Sequence, residues 1–426
     1  MGVSPGARVL TGRAWLLAAA LAASVALVSV AVGPVAPAVA GAGPMTTPGP
    51  THVDVVQRAG GVVHPLSLEV QALDANGVPL LSSAGPTGYT PAQIRATLGL
   101  TGTGAGQTIA IVVAYNHPNI AADLATFDAT FGLPAPPSFK KVNQAGSTTS
   151  FPVTDAGWAL ETSLDVEWAH AIAPGAGILL VEATSSSFTN LDTAIAYAAK
   201  QSAVTVISNS WGASEFNGET TLDSYCKLSA KLCVFSSGDN GNPATYPATS
   251  PYVLSVGGTT LQLASDNTIT SESAWSGSGG GISRYETRPA YQSSVNATLK
   301  RGAPDVSYNG NPATGFAVYD SIAYAGQSGW FQMGGTSAGA PQWAGIVAVA
   351  NQLRKAAGKA VLAAYTSKGA FQAHAAIYGA TSGLSDITTG TNGTCGSICT
   401  TASGYDFVTG RGSPRPGIDV ALKNAA

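Results

Sequence analysis

Histidine is scarce in this chain. Among 426 residues there are five, at positions 52, 64, 117, 170 and 374, and none stands beside an obvious catalytic partner. A nucleophile that depends on imidazole therefore has little to draw on. Charge is thin as well: Lys, Arg, Asp and Glu make up 10% of the chain, 20 basic residues against 23 acidic, with no basic cluster. That balance argues against nucleic acid as a partner. Cysteine is limited to Cys226, Cys233, Cys395 and Cys399. Their spacing favours two local bridges, Cys226–Cys233 and Cys395–Cys399. Zinc ligation is the weaker alternative, because no histidine lies near either pair.

Long apolar runs are nearly absent too. The exception is Trp15–Val32, which follows Arg8 and Arg13 and leads to Ala38 and Ala40 in an A-x-A arrangement. This reads as a secretory signal peptide over residues 1–40, cut after Ala40, rather than as a retained anchor. The expectation is a secreted, extracellular monomer with no stable membrane association. Loss of both arginines turns 20 basic residues into 18 against 23 acidic, a net charge of −5. Residues 41–88 are Pro/Gly-rich with short alternating pieces such as "LSLEV", and read as a linker or short pro-segment.

What the chain does have is alternation. Buried-strand runs at 107–115, 176–183, 203–212 and 232–239 alternate with helical patterns, including "NIAADLATFDATFG" and "LDTAIAYAAKQ". The strands are apolar on both faces, which predicts an α/β fold with a parallel sheet sandwiched by helices, one large domain over 89–426. Function in such sheets gathers at the carboxyl ends of the strands, where "SNSWG" and "SSGDNG" stand.

Three segments carry the chemistry. "GTSAG" places Ser337 between an extended stretch and a helix, in a nucleophile-elbow pattern, with Pro341 expected in the first helical turn. Capping of a core helix is the plain alternative for that serine. "WALETSLDVEWAHAIAPGA" (158–176) reads as a helix bearing Glu161 and Asp165 four residues apart, hence on one face and about 6 Å apart along the axis. Two carboxylates that close titrate as a unit holding one proton in mild acid. The surrounding Leu160, Leu164, Val166 and Trp168 suggest that this helix is buried, and buried carboxylates need a purpose. Glu167, on another face, reads as structural. Asp239 in "SSGDNG" lies at a strand end, where an Asx-turn is the bland reading.

Together these segments resemble the sedolisin family, the serine-carboxyl peptidases with a subtilisin-like fold. "ETSLD" matches the family's E-x-x-x-D, "SSGDNG" its S-G-D and "GGTSAGAP" its G-T-S-x-x-x-P, supported by "SNSWG", "YPATSPYVLSVGGT" and "APDVSYNGNPATG". The likeness runs over residues 89 to 420. It implies a serine-type endopeptidase acting on proteins or peptides under acidic conditions. Ser337 would be the nucleophile, Glu161 its base, Asp165 the orienting acid and Asp239 a protonated oxyanion donor. Ser210, Trp211 and Gly212 would line the substrate cleft through their backbone. The resemblance also implies one structural calcium ion. Asp386 and Asp406 would supply carboxylates, and Ile387, Ala402 and Gly404 carbonyls, an all-oxygen set. The Cys395–Cys399 loop lies between the two halves of that site.

Three departures stand out. Ala402 replaces the usual glycine, the region before residue 89 is short for a family pro-domain, and "VVAYNHP" lacks an acid that some members place near the catalytic Glu. Two rival functions remain. One is an α/β-hydrolase esterase using Ser337 with His374, although "FQAHAAIYG" reads as a helix with a surface histidine. The other is a non-catalytic secreted binding protein on a peptidase scaffold.

Overall fold

A computed structural model describes Met1 and residues 63–65, 68–70 and 85–425. The expected signal peptide, its cleavage point after Ala40 and most of the 41–88 segment lie outside the described residues. The described body belongs to one unit, Asp54–Ala426.

Its centre is an eight-stranded sheet. In chain order the strands are β1 (Thr108–Ala114), β2 (Phe139–Asn143), β3 (Gly177–Ala183), β4 (Val204–Asn209), β5 (Leu232–Ser236), β6 (Val253–Leu263), β7 (Ile269–Ala274) and β8 (Val306–Asn309). The spatial order is β7-β6-β5-β4-β1-β3-β2, with β8 also on β6. Every pairing is parallel except β6 with β7. β3 is buried along its whole length and β1 from Ile109 onward, as expected for strands covered on both faces. The parallel sheet sandwiched by helices is the architecture found.

Four helices matter for the site: α1 (Ile120–Phe131), α2 (Ala156–Ile172), α3 (Phe188–Lys200) and α4 (Thr336–Ala356). α2 opens where Asp155 accepts the Trp158 N–H at 3.0 Å, satisfying one of the free N–H groups of a helix start. From Trp158 to Ile172 every residue is buried, and α4 is buried without a break from Thr336 to Asn351. Helices enclosed on all sides are core elements rather than surface ones. Their indoles are also satisfied: Trp168 Nε1 donates to Ala317 O at 2.8 Å and Trp343 Nε1 to Ser307 O at 3.1 Å.

α2 and α4 meet at Gly345. A Cβ there would lie 2.7 Å from Ile172 Cβ, so only glycine permits this approach. The pairing holds the acid-bearing helix against the serine-bearing one. Gly345→Val should therefore lower unfolding free energy by about 1–3 kcal/mol, read from urea denaturation, with activity falling more than folded fraction accounts for.

Candidate active site

The carboxyl ends of β4 and β5 and the amino end of α4 converge. Gly335, with φ 93°, sits in a left-handed conformation that glycine adopts without strain, and turns the chain from an extended strand into α4. Ser337 follows as the second helical residue. Its Oγ donates to Ser210 O at 3.3 Å. The Ser210 hydroxyl in turn donates to Asp165 Oδ1 at 2.6 Å and lies 3.4 Å from Ser337 O. Asp165 is hydrogen-bonded to the Glu161 side chain four residues earlier on α2. The sequence thus becomes a chain of contacts, Glu161 to Asp165 to Ser210 to Ser337.

Pro341 is not in the first helical turn as the sequence suggested; α4 starts at Thr336, so Pro341 is its sixth residue. The change has a use. A residue at 341 would normally give its N–H to Ser337 O, and proline has none. The Ser337 carbonyl is thereby left for the Ser210 hydroxyl.

Burial governs the electrostatics. Asp165 is pushed up to about 8 by loss of hydration, against the opposing pull of the Ser210 hydroxyl and the Glu161 side chain. Asp239 is pushed up to about 7, again by burial, against hydrogen bonds from Thr336. The Asp239 residue is part-exposed, but its Oδ2 is buried and has no hydrogen-bond partner among the described residues. Oδ1 does the anchoring: it accepts the Thr336 N–H at 2.7 Å and the Thr336 hydroxyl at 2.7 Å. Oδ2 is therefore the oxygen free to carry a proton. This is not the Asx-turn alternative, because the contacts run across 97 residues.

Of the cleft trio, Ser210 contributes its side chain as well as its backbone, which the sequence did not foretell. Trp211 buries its indole completely and donates to Val112 O at 3.0 Å, so only its backbone is available. Gly212 is pressed by Thr245, whose Oγ1 would lie 2.5 Å from a Cβ at 212. Glu167 is structural as expected, its Oε2 accepting the Tyr319 N–H at 3.0 Å. His374 corrects the sequence reading. It is buried rather than on a helix surface, donates from Nε2 to Val253 O at 2.8 Å, and stacks on Tyr291 at 4.3 Å. Val253 opens β6, the end of the strand away from Ser337, so His374 serves packing there.

At the calcium candidate, Asp386 Oδ2 accepts the Gly404 N–H at 2.7 Å. Asp406 is buried and accepts from Ala402, Val408 and Thr409 main-chain N–H groups. Ala402 is not among the non-glycine residues with positive φ, so its carbonyl is available without strain. Among the described residues no Lys or Arg pairs with either carboxylate. The oxygen-only donor set fits a calcium ion. Both expected disulfides are formed, which removes the zinc alternative.

Sequence reasoning missed one cluster. His117 Nε2 lies 3.3 Å from Asp123 Oδ2, 3.2 Å from Asp320 Oδ1 and 3.0 Å from Ser163 Oγ, all buried. It has the composition of a metal site. The tautomer argues otherwise: Nδ1 accepts the Asn119 N–H at 3.2 Å, so the ring proton sits on Nε2, facing the acids. The three residues lie up to about 200 positions apart, and no local pattern could have joined them.

With this geometry in hand, the comparisons with known proteins fall into place. The sequence profile of the subtilase family matches residues 154–393. Kumamolisin from Bacillus sp. (strain MN-32) is 32% identical over 376 residues, covering 78% of this chain and 63% of that protein. Sedolisin from Pseudomonas sp. (strain 101) is 27% identical over 359 residues, covering 76% of this chain and 58% of that protein. The solved structure of Pseudomonas sedolisin, a serine-carboxyl proteinase in complex with pseudo-iodotyrostatin, superposes with a TM-score of 0.67 at 26% identity. It covers 80% of this chain and 98% of that one. The chain belongs to the sedolisin family and has the subtilisin-like fold. This sedolisin-family chain spans less than two thirds of the length of either curated relative.

Ser210→Ala tests the contact chain directly. Removing a donor that favours the carboxylate should shift the Asp165 titration further upward, measured by carboxyl ¹³C NMR, while the fold remains intact.

Proposed function

We propose that this protein is an exported serine-carboxyl endopeptidase that hydrolyses peptide bonds of proteins in acid. The observation that carries the reading is the hydrogen-bonded series Glu161–Asp165–Ser210–Ser337, together with Asp239 held beside the nucleophile on Thr336. Glu161 takes the Ser337 proton as Oγ adds to the substrate carbonyl, and Asp165 shares the resulting proton load. Asp239, neutral, donates from Oδ2 to the developing oxyanion, a role open to a carboxylic acid only when burial keeps it protonated. The proton then passes to the leaving amine, and water completes hydrolysis of the acyl-serine. A calcium ion held by Asp386 and Asp406 with the carbonyls of Ile387, Ala402 and Gly404 would tie two C-terminal loops together and take no part in the chemistry. The esterase alternative loses its base, because His374 is engaged at Val253. Export rests on the Met1–Ala40 sequence alone; among the described residues no helix is long and apolar enough to cross a membrane.

Digestion of a denatured protein across pH tests the reading. Ser337→Ala and Glu161→Gln should each lower turnover by at least about 10³-fold. If neither does, the proposal fails. Activity should decline as pH rises through about 7, where Asp239 ionises. Asp239→Asn, which keeps a donor at every pH, should be about 10²-fold slower at acidic pH yet lose that decline.

A second acidic signature lies beside the cleft. Burial pushes Glu219 up to about 9, Glu286 up to about 8 and Asp223 up to about 6. Glu215 and Glu219 share a hydrogen bond, as do Asp223 and Glu286. The folded state holds protons that the unfolded chain releases near pH 4. Their contribution is therefore complete below about pH 4 and is lost as pH climbs toward 8 and 9. Thermal unfolding should show a Tm that falls steadily over that window. A Tm that rises across it would contradict this assignment.

A further inference from the structure

Asp239 stands in a turn that its own backbone does not fix. Gly238 and Gly241 flank it, with φ of 119° and 71°, and glycine at such positions leaves several paths open to the chain. Thr336 holds one oxygen of the carboxyl from the side of the nucleophile. The rest of the turn is held by two segments from further along the sequence.

The first is the glycine-rich stretch 277–280. Its Gly279 N–H donates to Gly238 O at 2.7 Å, and its Gly277 O accepts the Gly241 N–H at 2.9 Å. These two bonds bracket Asp239 and Asn240. The fit is close, for a Cβ at 279 would lie 2.2 Å from Ser237 O. The second segment is the loop 391–400, where Thr391 pairs antiparallel with Thr400 and the Cys395–Cys399 bridge closes the far end. Asn392 is buried in this loop, while Cys395 is exposed. The Asn392 carbonyl accepts the Asn242 N–H at 3.0 Å, and a Cβ at 241 would meet that oxygen at 2.3 Å. The Asn392 side chain turns the other way: Nδ2 donates at 2.8 Å to the carbonyl of Ser278, the residue between the two that make the bracket. One residue thus grips both sides, the Asp239 turn with its main chain and the bracketing stretch with its side chain.

We propose that Asn392 is a positioning residue for the oxyanion donor: by tying Ser278 to Asn242 it fixes where Asp239 Oδ2 points, and the Cys395–Cys399 bridge stiffens the loop that carries it. The inference rests on the peptidase reading above, in which Asp239 meets the developing oxyanion. Without Nδ2, the Ser278 carbonyl becomes a buried acceptor that has lost its donor, and the bracket slackens. A slack bracket costs the transition state more than the bound substrate, because the oxyanion exists only in the former. It also lets water reach the carboxyl. Burial is what raises Asp239, against the hydrogen bonds from Thr336, so added water brings its titration back down.

The test compares two variants of the full chain. Asn392→Leu is similar in volume but has no donor; Asn392→Asp, while neutral in acid, keeps a hydroxyl to give to Ser278 O. Asn392→Leu should lower kcat by at least about tenfold with KM nearly unchanged. Its activity should also decline at lower pH than that of wild type, whose decline is set at about 7. Asn392→Asp should stay close to wild-type kcat in acid. A wild-type kcat and pH profile in Asn392→Leu overturns the proposal, and so do equal losses in both variants in acid. A fall in kcat that the folded fraction accounts for, with the pH profile unmoved, marks a purely structural residue and overturns it too. If Asn392→Leu does not fold, Cys395→Ser combined with Cys399→Ser loosens the loop from its exposed end and carries the same expectations. If wild type hydrolyses no peptide, the peptidase reading fails, and the Asp239 titration followed by carboxyl ¹³C NMR decides the positioning. A lower midpoint in Asn392→Leu than in wild type supports it; equal midpoints refute it.

Discussion

The Asp165–Ser210 hydrogen bond, 2.6 Å long and wholly buried, is the contact on which the site depends. It joins a helix to the end of a strand, two elements that chain connectivity alone would leave free to slide. Because Ser210 also touches Ser337 through both its carbonyl and its hydroxyl, the same residue relates the acids to the nucleophile. A hydroxyl has one proton to give, and the shorter contact goes to the carboxylate. Ser337 O then receives only the longer approach. No imidazole takes part in these contacts; Ser210 alone bridges Asp165 and Ser337.

The fold was legible in the sequence because its signals are local. Apolar runs such as "QTIAIVVAY" and "AGILLVEA" can hardly be anything but strands covered on both faces, and alternation with helices then implies a parallel sheet. The catalytic candidates were legible for a different reason: Glu161 and Asp165 share one helix turn, and Ser337 and Asp239 each sit in a short glycine-bounded motif. What escaped was everything that depends on contact between distant segments. The Ser210 hydroxyl is unremarkable in "SNSWG" until α2 is packed against it. His374 looked like a surface residue because the helical pattern around it is short and small-sided, and only the placement of Tyr291 and Val253 encloses it. Pro341 was misplaced by a few residues because helix starts are set by cap geometry, here a glycine with positive φ, rather than by composition.

Acid runs through the molecule as a common theme, and its physical source is burial rather than charge count. With 10% charged residues there is little surface field to alter as pH changes. The groups that do respond are enclosed: Asp165 and Asp239 in the site, Glu219, Glu286 and Asp223 beside it. Each is easier to enclose as a neutral acid than as an anion. Enclosure keeps such carboxyl groups neutral, and so able to donate a hydrogen bond, at a pH where exposed ones are already ionised.

Thr336 has a final consequence. Immediately before Ser337 in the chain, it holds Asp239 through both its N–H and its hydroxyl. When the amino end of α4 shifts, Ser337 Oγ and the Asp239 carboxyl are carried together by these two hydrogen bonds. Breathing of the cleft therefore alters how a carbonyl is approached far less than it alters how wide the entrance stands, so loosening of the rim need not blur the reaction centre.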